Sequence, residues 1–596
     1  MDIKFKIVWI FIPILALVIY IDYVKAAAGD KLYFKVNLTP EIALKKKLDT
    51  MTLEMEKTAK LYKTAGQKIY WQNEAKKSFT KLLHAYGYYA HNIDIEIDED
   101  KDLVILNVET GPRYLISNLS ITFSGESNTN INIPTIDKLK TKKNHFIFAE
   151  DVLEDQDKII KFIEKNNCLL YLSVAHQLTV NHLNKEIEIV FLIDDGPIAK
   201  IEKVEFKGLT NVKSEYARKL VKLSDGQCFK RSYVTEARSY LQKSSLFSST
   251  TPEIPKTLNP DGSVPIVFNL TERKARSMKA GLNYGTDFGP GAALGWEHRN
   301  FFGSGEEAKI SLSGNKKEQI FSLDYEKPFF RRDDQTLRLE NNYENKKTKA
   351  FKSKEASLAA YLDRELTPEW KIGSGTKFTY AVVNQFEFNK NIQKYSLFSL
   401  PVYVGKDTRN NILDAKKGYN IILDAAPFFG IDSKNKPFLK SKLSAAGFVT
   451  NKGKIKSTLA LKGSVGSIFG GGSFKVPSTE KFYVGGSNSV RGYAYQFVGN
   501  IDKNKRPKGG TSFVETTIEL RLNITDDISI VNFLDSGFAY EKNMPDKKQA
   551  LLHGAGIGFR YATGFGPLRA DIGFPLKKRK HIDKGFQLYF GIGQAF

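Results

Sequence analysis

Only two cysteines occur in the 596 residues, Cys168 and Cys228, and neither sits in a C-x-x-C pair or at a metal-type spacing. A disulfide framework and a cysteine-built metal or redox motif are therefore excluded. At 60 positions apart the two are expected as unpaired small apolar residues, with a single bridge in an oxidising compartment as the alternative. The chain also lacks a Walker pattern, a G-x-S-x-G elbow and an H-E-x-x-H pair, and its eight histidines show no ligand spacing. Nucleotide-driven work, esterase chemistry and zinc hydrolysis are thereby set aside, so no enzyme, no cofactor and no metal are expected. Past Ile21 no apolar stretch is long enough for a membrane-spanning helix. If the chain crosses a bilayer there, only a closed barrel of strands can do it.

What is present begins with charge. Eighty-nine Lys and Arg against 66 Asp and Glu give a formal net charge of +23, but the lysines are interleaved with acids, the pattern of a solvated surface. At the amino end, Lys4 and Lys6 precede the apolar run Ile7 to Ile21, and Ala26-Ala27-Ala28 offers an A-x-A site. That layout reads as a secretory signal over 1–28 with the mature chain starting at Gly29; Pro13 and the short run weigh against an uncleaved anchor. Export from the cytosol argues against a nucleic-acid partner, and none is expected.

Residues 29–274 repeat. VETGPRYLISNLSITFSG (108–125) and IDDGPIAKIEKVEFKG (193–208) align, placing Gly111-Pro112 and Gly196-Pro197 85 positions apart. Each unit opens with a strand, continues through helical patterns such as Phe79, Leu82, Leu83 and Tyr86, and closes with alternating strands such as Ile93, Ile95 and Ile97. The order β-α-α-β-β, with Gly-Pro bridging one unit to the next, resembles the polypeptide-transport-associated (POTRA) domain. Boundaries at 29–112, 113–197 and 198–274 follow. The resemblance implies clients bound by strand addition at a free sheet edge, with mere spacers as the bland alternative.

From 275 to 596 short alternating segments take over. In LRADIGF (568–574), Leu568, Ala570, Ile572 and Phe574 share one face and Arg569, Asp571 and Gly573 the other; Ile518, Leu520 and Leu522 oppose Glu519 and Arg521 in the same way. A soluble sandwich alternates too, but these 322 residues divide into about 16 segments of about 20, running to the terminus with no closing helix, as in a transmembrane barrel. Aromatics at segment ends (Trp296, Phe301, Phe302, Phe329, Phe330, Tyr361) suit interfacial girdles. Gly281 and Gly285 in the first strand and Gly591 and Gly593 in the last remove side chains that would pack across the closing seam, so pairing there is expected to be weak.

Between two such segments lies KFYVGGSNSVRGYAYQ (481–496), where Arg491 stands among Tyr483, Val490, Tyr493 and Tyr495. Alone it reads as an aromatic surface loop with a solvated arginine. In series with GPGAALGWEHRNFFGSGE (289–306), DYEKPFF (324–330), DTRNNILDAKKGY (407–419), TTIELRL (516–522), FLDSG (533–537) and GFGPLRADIGFPL (564–576), it resembles the POTRA-plus-barrel outer-membrane assembly factors of the BamA/TamA superfamily, the bacterial surface antigen family. Three repeats point to the TamA-like branch. The resemblance implies α+β POTRA repeats followed by an outer-membrane antiparallel β-barrel of about 16 strands, with the repeats in the periplasm. It implies a lumen loop latched through Val490, Arg491, Gly492 and Tyr493 onto Asp535 and Glu519, and a carboxyl-terminal recognition signal at Phe596. The implied partners are unfolded outer-membrane clients such as autotransporters, outer-membrane lipid and an inner-membrane-anchored TamB-like protein. A BamA-like general insertase and a two-partner-secretion-type pore are the alternatives.

Overall fold

The computed structural model describes residues 33–39, 44–58, 65–98, 103–125, 131–386, 392–431, 436–451, 453, 456–471, 476–546, 548–563 and 567–592. The signal segment 1–28, Gly593 and Phe596 lie outside them.

The first repeat runs β1 (Tyr33–Thr39), α1 (Lys45–Thr58), α2 (Ala65–Ala85), β2 (Asn92–Asp98) and β3 (Leu103–Glu109). Its sheet has the order β1-β3-β2, with β1 parallel and β2 antiparallel to β3. Val104, Leu106 and Val108 alternate on β3 with half-buried residues and pack on Leu48, Phe79 and Leu83 of the helices, each full burial stabilising by about 1.5–3 kcal/mol. The second repeat runs β4 (Leu115–Phe123), a 3-10 turn at Ile136–Lys138, α3 (Ala149–Asn166), β5 (Leu172–Asn181) and β6 (Glu186–Asp195), in sheet order β4-β6-β5. The first of its two expected helices is thus only a 3-10 turn. Fully buried Asp155 on α3 ties that turn down, accepting the backbone N–H groups of Lys140 (2.8 Å) and Thr141 (2.7 Å). Burial alone would raise its carboxyl, but these hydrogen bonds to the charged form hold it below the usual range. The third repeat runs β7 (Lys200–Lys207), α4 (Ser214–Val221), α5 (Arg231–Lys243), β8 (Phe247–Glu253) and β9 (Ser263–Glu272), in sheet order β7-β9-β8.

The joints follow the Gly-Pro pairs. After Gly111-Pro112, the Arg113 guanidinium lies over the rings of Phe146 (4.6 Å) and Phe148 (4.3 Å), and its Nε donates to the Tyr86 carbonyl at 2.8 Å. After Gly196-Pro197, Ala199 donates to the Cys168 carbonyl (2.7 Å) and accepts from the Phe229 N–H (3.0 Å). This strap draws Cys168 and Cys228 together, and they form a disulfide with Cα atoms 5.3 Å apart. The expectation of two unpaired thiols is therefore corrected: stacking of one repeat on the next creates the proximity, and a spacing of 60 does not disclose it.

Contacts divide the chain into two compact units, and Phe206–Lys222, Ala237–Pro252 and Phe268–Phe596 make up the second. Its strands are β10 (Arg276–Gly285), β11 (Gly289–His298), β12 (Glu307–Asn315), β13 (Glu318–Lys327), β14 (Gln335–Lys347), β15 (Phe351–Glu365) and β16 (Trp370–Gln385). Then come β17 (Ile392–Ser399), β18 (Val402–Asp407), β19 (Gly418–Gly430), β20 (Phe438–Asn451) and β21 (Ser457–Gly470). The last five are β22 (Ser512–Asn523), β23 (Ile528–Tyr540), β24 (Leu552–Tyr561), β25 (Leu568–Pro575) and β26 (Gln587–Ile592). They form one antiparallel sheet in sequence order. Both β17 and β18 pair with β16 on one side and β19 on the other, so they are one stave interrupted at Leu400-Pro401, where proline has no N–H for the ladder. The sheet is thus a barrel of sixteen staves.

Ile518, Leu520, Leu568, Phe574, Leu588 and Phe590 are exposed on the outer face, while Glu519, Arg521, Arg569, Asp571 and Tyr589 are buried inside. Two of the proposed girdle aromatics belong elsewhere. Tyr361 lies on the inner face under Arg338, 4.3 Å from ring to guanidinium. Phe329 meets Tyr216 of α4 with ring centroids 5.5 Å apart. Beside it Lys213 donates to the Gly303 carbonyl at 2.8 Å, and a Cβ on Gly305 would overlap the Tyr216 hydroxyl, so glycine lets the helix seat. Burial, with Glu306 nearby, pushes the Tyr216 hydroxyl up to about 12.

Candidate functional site: a lumen loop across the barrel seam

The connection from β21 to β22 turns inward. Phe482, Val484, Val490, Tyr493 and Val498 pack against Phe351, Val383, Phe438, Ile468, Phe513 and Phe538 of the wall, a core inside the barrel that the alternating strands alone do not require. This burial explains the loop's aromatic content, since a solvated loop would have no use for it.

Arg491 is 1% exposed at the centre. Its backbone N–H and Nε both donate to Oδ2 of Asp535 (3.0 and 2.7 Å), and its Nη2 donates to Oδ1 (3.0 Å), a fork across one carboxylate. Its Nη1 lies 2.8 Å from Oε1 of Glu519 and donates to Oδ2 of Asp571 at 3.1 Å. The guanidinium also stacks 3.5 Å above the ring of Phe533, so this face of β23 holds the arginine rather than the loop's aromatics. The structure thus brings Arg491, Asp535 and Glu519 together.

Asp571 completes the set and was not singled out, although it stands on the polar face of LRADIGF. Around it Arg560 pairs with Asp571, and Arg521 lies 2.9 Å from Glu519. Tyr589 of β26 was missed too: its hydroxyl accepts the Gly492 N–H (3.0 Å) and donates to the Tyr493 carbonyl (2.9 Å). Tyr493 in turn donates to the carbonyls of His553 (3.2 Å) and Lys577 (3.0 Å). Val490 packs in the loop core.

Glycines make the docking possible. Gly492 has φ +95°, and a Cβ there would stand 2.7 Å from the Phe574 backbone. A Cβ on Gly554 would overlap the Arg491 carbonyl, and one on Gly573 would stand 2.7 Å from the Gly492 nitrogen. Backbone therefore lies directly on backbone across β24 and β25.

The seam lies beside this loop. The rings of Tyr284 on β10 and Phe590 on β26 are 6.4 Å apart, yet among the described residues β10 has a ladder only with β11 and β26 only with β25. Gly281 and Gly285 have open space where a Cβ would be, and Gly591 faces Arg569 across the β25 ladder. The loop reaches both flanks: Ser487 donates its N–H to Oδ2 of Asp287, just past β10 (2.8 Å), while Gly492 and Tyr493 hold Tyr589 of β26.

Two family models match: the Omp85 superfamily domain over residues 300–596 and the POTRA surface antigen variable number repeat over 199–273. The outer membrane protein assembly factor BamA of Nitratidesulfovibrio vulgaris is 22% identical over 84% of this chain, which spans 64% of that relative's length. BamA of Neisseria meningitidis serogroup B is 22% identical over 87% of this chain and 72% of its own. A crystal structure of BamA from Haemophilus ducreyi lacking POTRA domains 1–3 superposes with a TM-score of 0.67 at 20% identity, covering 81% of this chain and all of that one. These matches carry the superfamily and its POTRA-plus-barrel fold, and do not single out the TamA-like branch.

Proposed function

The chain belongs to the Omp85 superfamily, as an outer-membrane barrel with periplasmic POTRA repeats, and from that premise we propose that it is a non-enzymatic factor assembling unfolded outer-membrane proteins. The observation that carries the proposal is a seam that no ladder hydrogen bond crosses among the described residues, spanned by a loop fixed to both flanks. An unpaired strand edge offers backbone donors and acceptors to any incoming strand, and so serves clients of many sequences. The repeats, in which β2, β5 and β8 each pair with one strand only among the described residues, receive clients on the periplasmic side. A general role fits as well as the specialised TamA-like one in autotransporter assembly with an inner-membrane-anchored, TamB-like partner, and the relatives' name, outer membrane protein assembly factor, does not choose between them.

Replacing Tyr284 and Phe590 with cysteines and oxidising them in cells tests the seam. Assembly of outer-membrane proteins should stop and resume on reduction. A fully crosslinked barrel that sustains normal outer-membrane protein levels refutes the proposal. Depletion separates the two roles: broad loss of barrels marks the general one, and loss of a few autotransporters the specialised one.

A further inference from the structure

A cavity of about 880 Å³ opens beside the seam. Its outer rim is apolar and membrane-facing: Leu282, Tyr284, Leu568 and Phe590 are all exposed. Its inner wall carries Ser487, Asn488 and Arg569. Arg569 is 7% exposed, and its Nη2 donates to Oδ1 of Asn488 at 3.0 Å. Its Nε stands 3.9 Å from Oδ2 of Asp571, beyond hydrogen-bonding distance, and among the described residues neither Nε nor Nη1 has an acceptor. Asp571 cannot turn to it, because that carboxylate already serves Arg491 and Arg560. Of the guanidiniums clustered here (Arg491, Arg521, Arg560 and Arg569), Arg569 is the one that lines this cavity.

A buried guanidinium with two unused donors calls for an anion, and phosphate oxygens match its fork. The apolar rim calls for hydrocarbon. We infer that the seam cavity binds a phosphate-bearing anionic lipid, its headgroup on Arg569 and an acyl chain along Leu282, Leu568 and Phe590. A lipid enters sideways from the bilayer with no strand displaced, which favours it over a peptide carboxylate. Gly591, opposite Arg569, keeps the approach open: a Cβ there would stand 3.5 Å from Nη2. The inference does not depend on the assembly role.

Native mass spectrometry of the full protein in detergent, incubated with phosphatidic acid or with phosphatidylcholine of the same chains, tests this. One phosphatidic acid should stay bound under activation that strips phosphatidylcholine. Arg569→Gln should cut that occupancy about tenfold, the scale of a lost charge-assisted pair, and Arg569→Lys should restore part of it. Should Arg569→Gln fail to fold, Leu282→Trp, on a side chain 86% exposed, plugs the mouth and should lose the lipid without touching the arginine. Equal retention of the two lipids, or undiminished retention by Arg569→Gln or by Leu282→Trp, overturns the inference. So does competition by inorganic phosphate alone with no lipid preference, or Arg569-dependent capture of a carboxyl-terminal outer-membrane-protein peptide in place of lipid.

Discussion

Substituting Arg491 with alanine removes the cation at the middle of three carboxylates, but the three do not lose equally. Glu519 keeps Arg521, and Asp571 keeps Arg560 and lies near Arg569. Asp535 alone loses the group that gave it three hydrogen bonds, and it is fully buried. Leaving one buried charge uncompensated costs about 3–5 kcal/mol, and the cost should sit almost wholly at Asp535. In the parent protein, Asp535→Asn should cost only about 2 kcal/mol, because Arg491 retains Glu519 and Asp571. In the Arg491→Ala background the same change should stabilise, since it discharges the stranded carboxylate. The sign of the Asp535→Asn effect therefore reverses, with a coupling of about 3 kcal/mol or more. Guanidinium unfolding of the four proteins refolded into lipid vesicles, read by gel mobility of the heat-modifiable barrel, gives the cycle. Additive effects of the two substitutions would show that the fork does not hold the loop.

Gly554→Ala, whose Cβ would overlap the Arg491 carbonyl, should expel the loop with every charge intact, seen as rapid proteolysis within residues 481–508 of an otherwise folded barrel. The Cys168–Cys228 bridge should appear as a mobility shift between non-reducing and reducing gels. Replacing both cysteines with serine should lower the stability of the repeats by up to about 4 kcal/mol, the chain-entropy value for a closed loop of this size. Glu272 gives a pH dependence. Burial would raise its carboxyl, but the N–H groups of Thr210 and Val212 and the Thr210 and Asn211 side chains hold it at about 2, below its ordinary 4.5. A depressed carboxyl stabilises above its ordinary value, and that stability is lost as pH falls from about 4.5 to about 2. Discounted for partial exposure, the effect is about 1–2 kcal/mol. The stability gap between the parent and Glu272→Gln should be full at neutral pH and closed near the lower limit, and a pH-independent gap would count against it.

The sequence discloses features that repeat and hides those made by one-time proximity. Gly111-Pro112 and Gly196-Pro197 mark two joints because each repeat needs the same turn. Sixteen staves follow from segment length because a strand must span a fixed thickness. Parity assigns Arg569 and Asp571 to the inside of β25, since each strand has only two faces. The disulfide had no such signal, because Cys168 and Cys228 belong to different repeats and meet only when the repeats stack. Phe329 and Tyr361 were misplaced for a related reason. Aromatic content at a strand end is the same whether the ring meets lipid, a helix or an arginine, and only Tyr216 and Arg338 decide between them.

In the site, parity gave the face and left the height undetermined. Glu519, Asp535, Asp571 and Tyr589 are all inward by alternation, but which of them stand level with Arg491 depends on the stagger of five strands around the barrel, a property of the closed sheet. One signal could have fixed the height. Gly537 on β23, Gly554 and Gly556 on β24, and Gly573 on β25 all point inward, and register sets Asp535 beside Gly554 and Gly556 beside Gly573. Gly554 and Gly573, on adjacent strands, leave no side chain where the loop backbone at Arg491 and Gly492 crosses, Gly537 makes room for the Val484 and Val490 side chains, and Gly556 for the Phe533 ring that Arg491 stacks on. The glycines decide where the loop crosses, and the carboxylates decide how firmly it stays. Gly554→Ala should therefore displace the loop while Arg491 still has carboxylates to pair with, whereas Arg491→Ala should leave the loop in place but loosely held. If the two variants give the same proteolytic pattern at the same rate, position and affinity have a single origin, and the division of labour between glycines and charges fails.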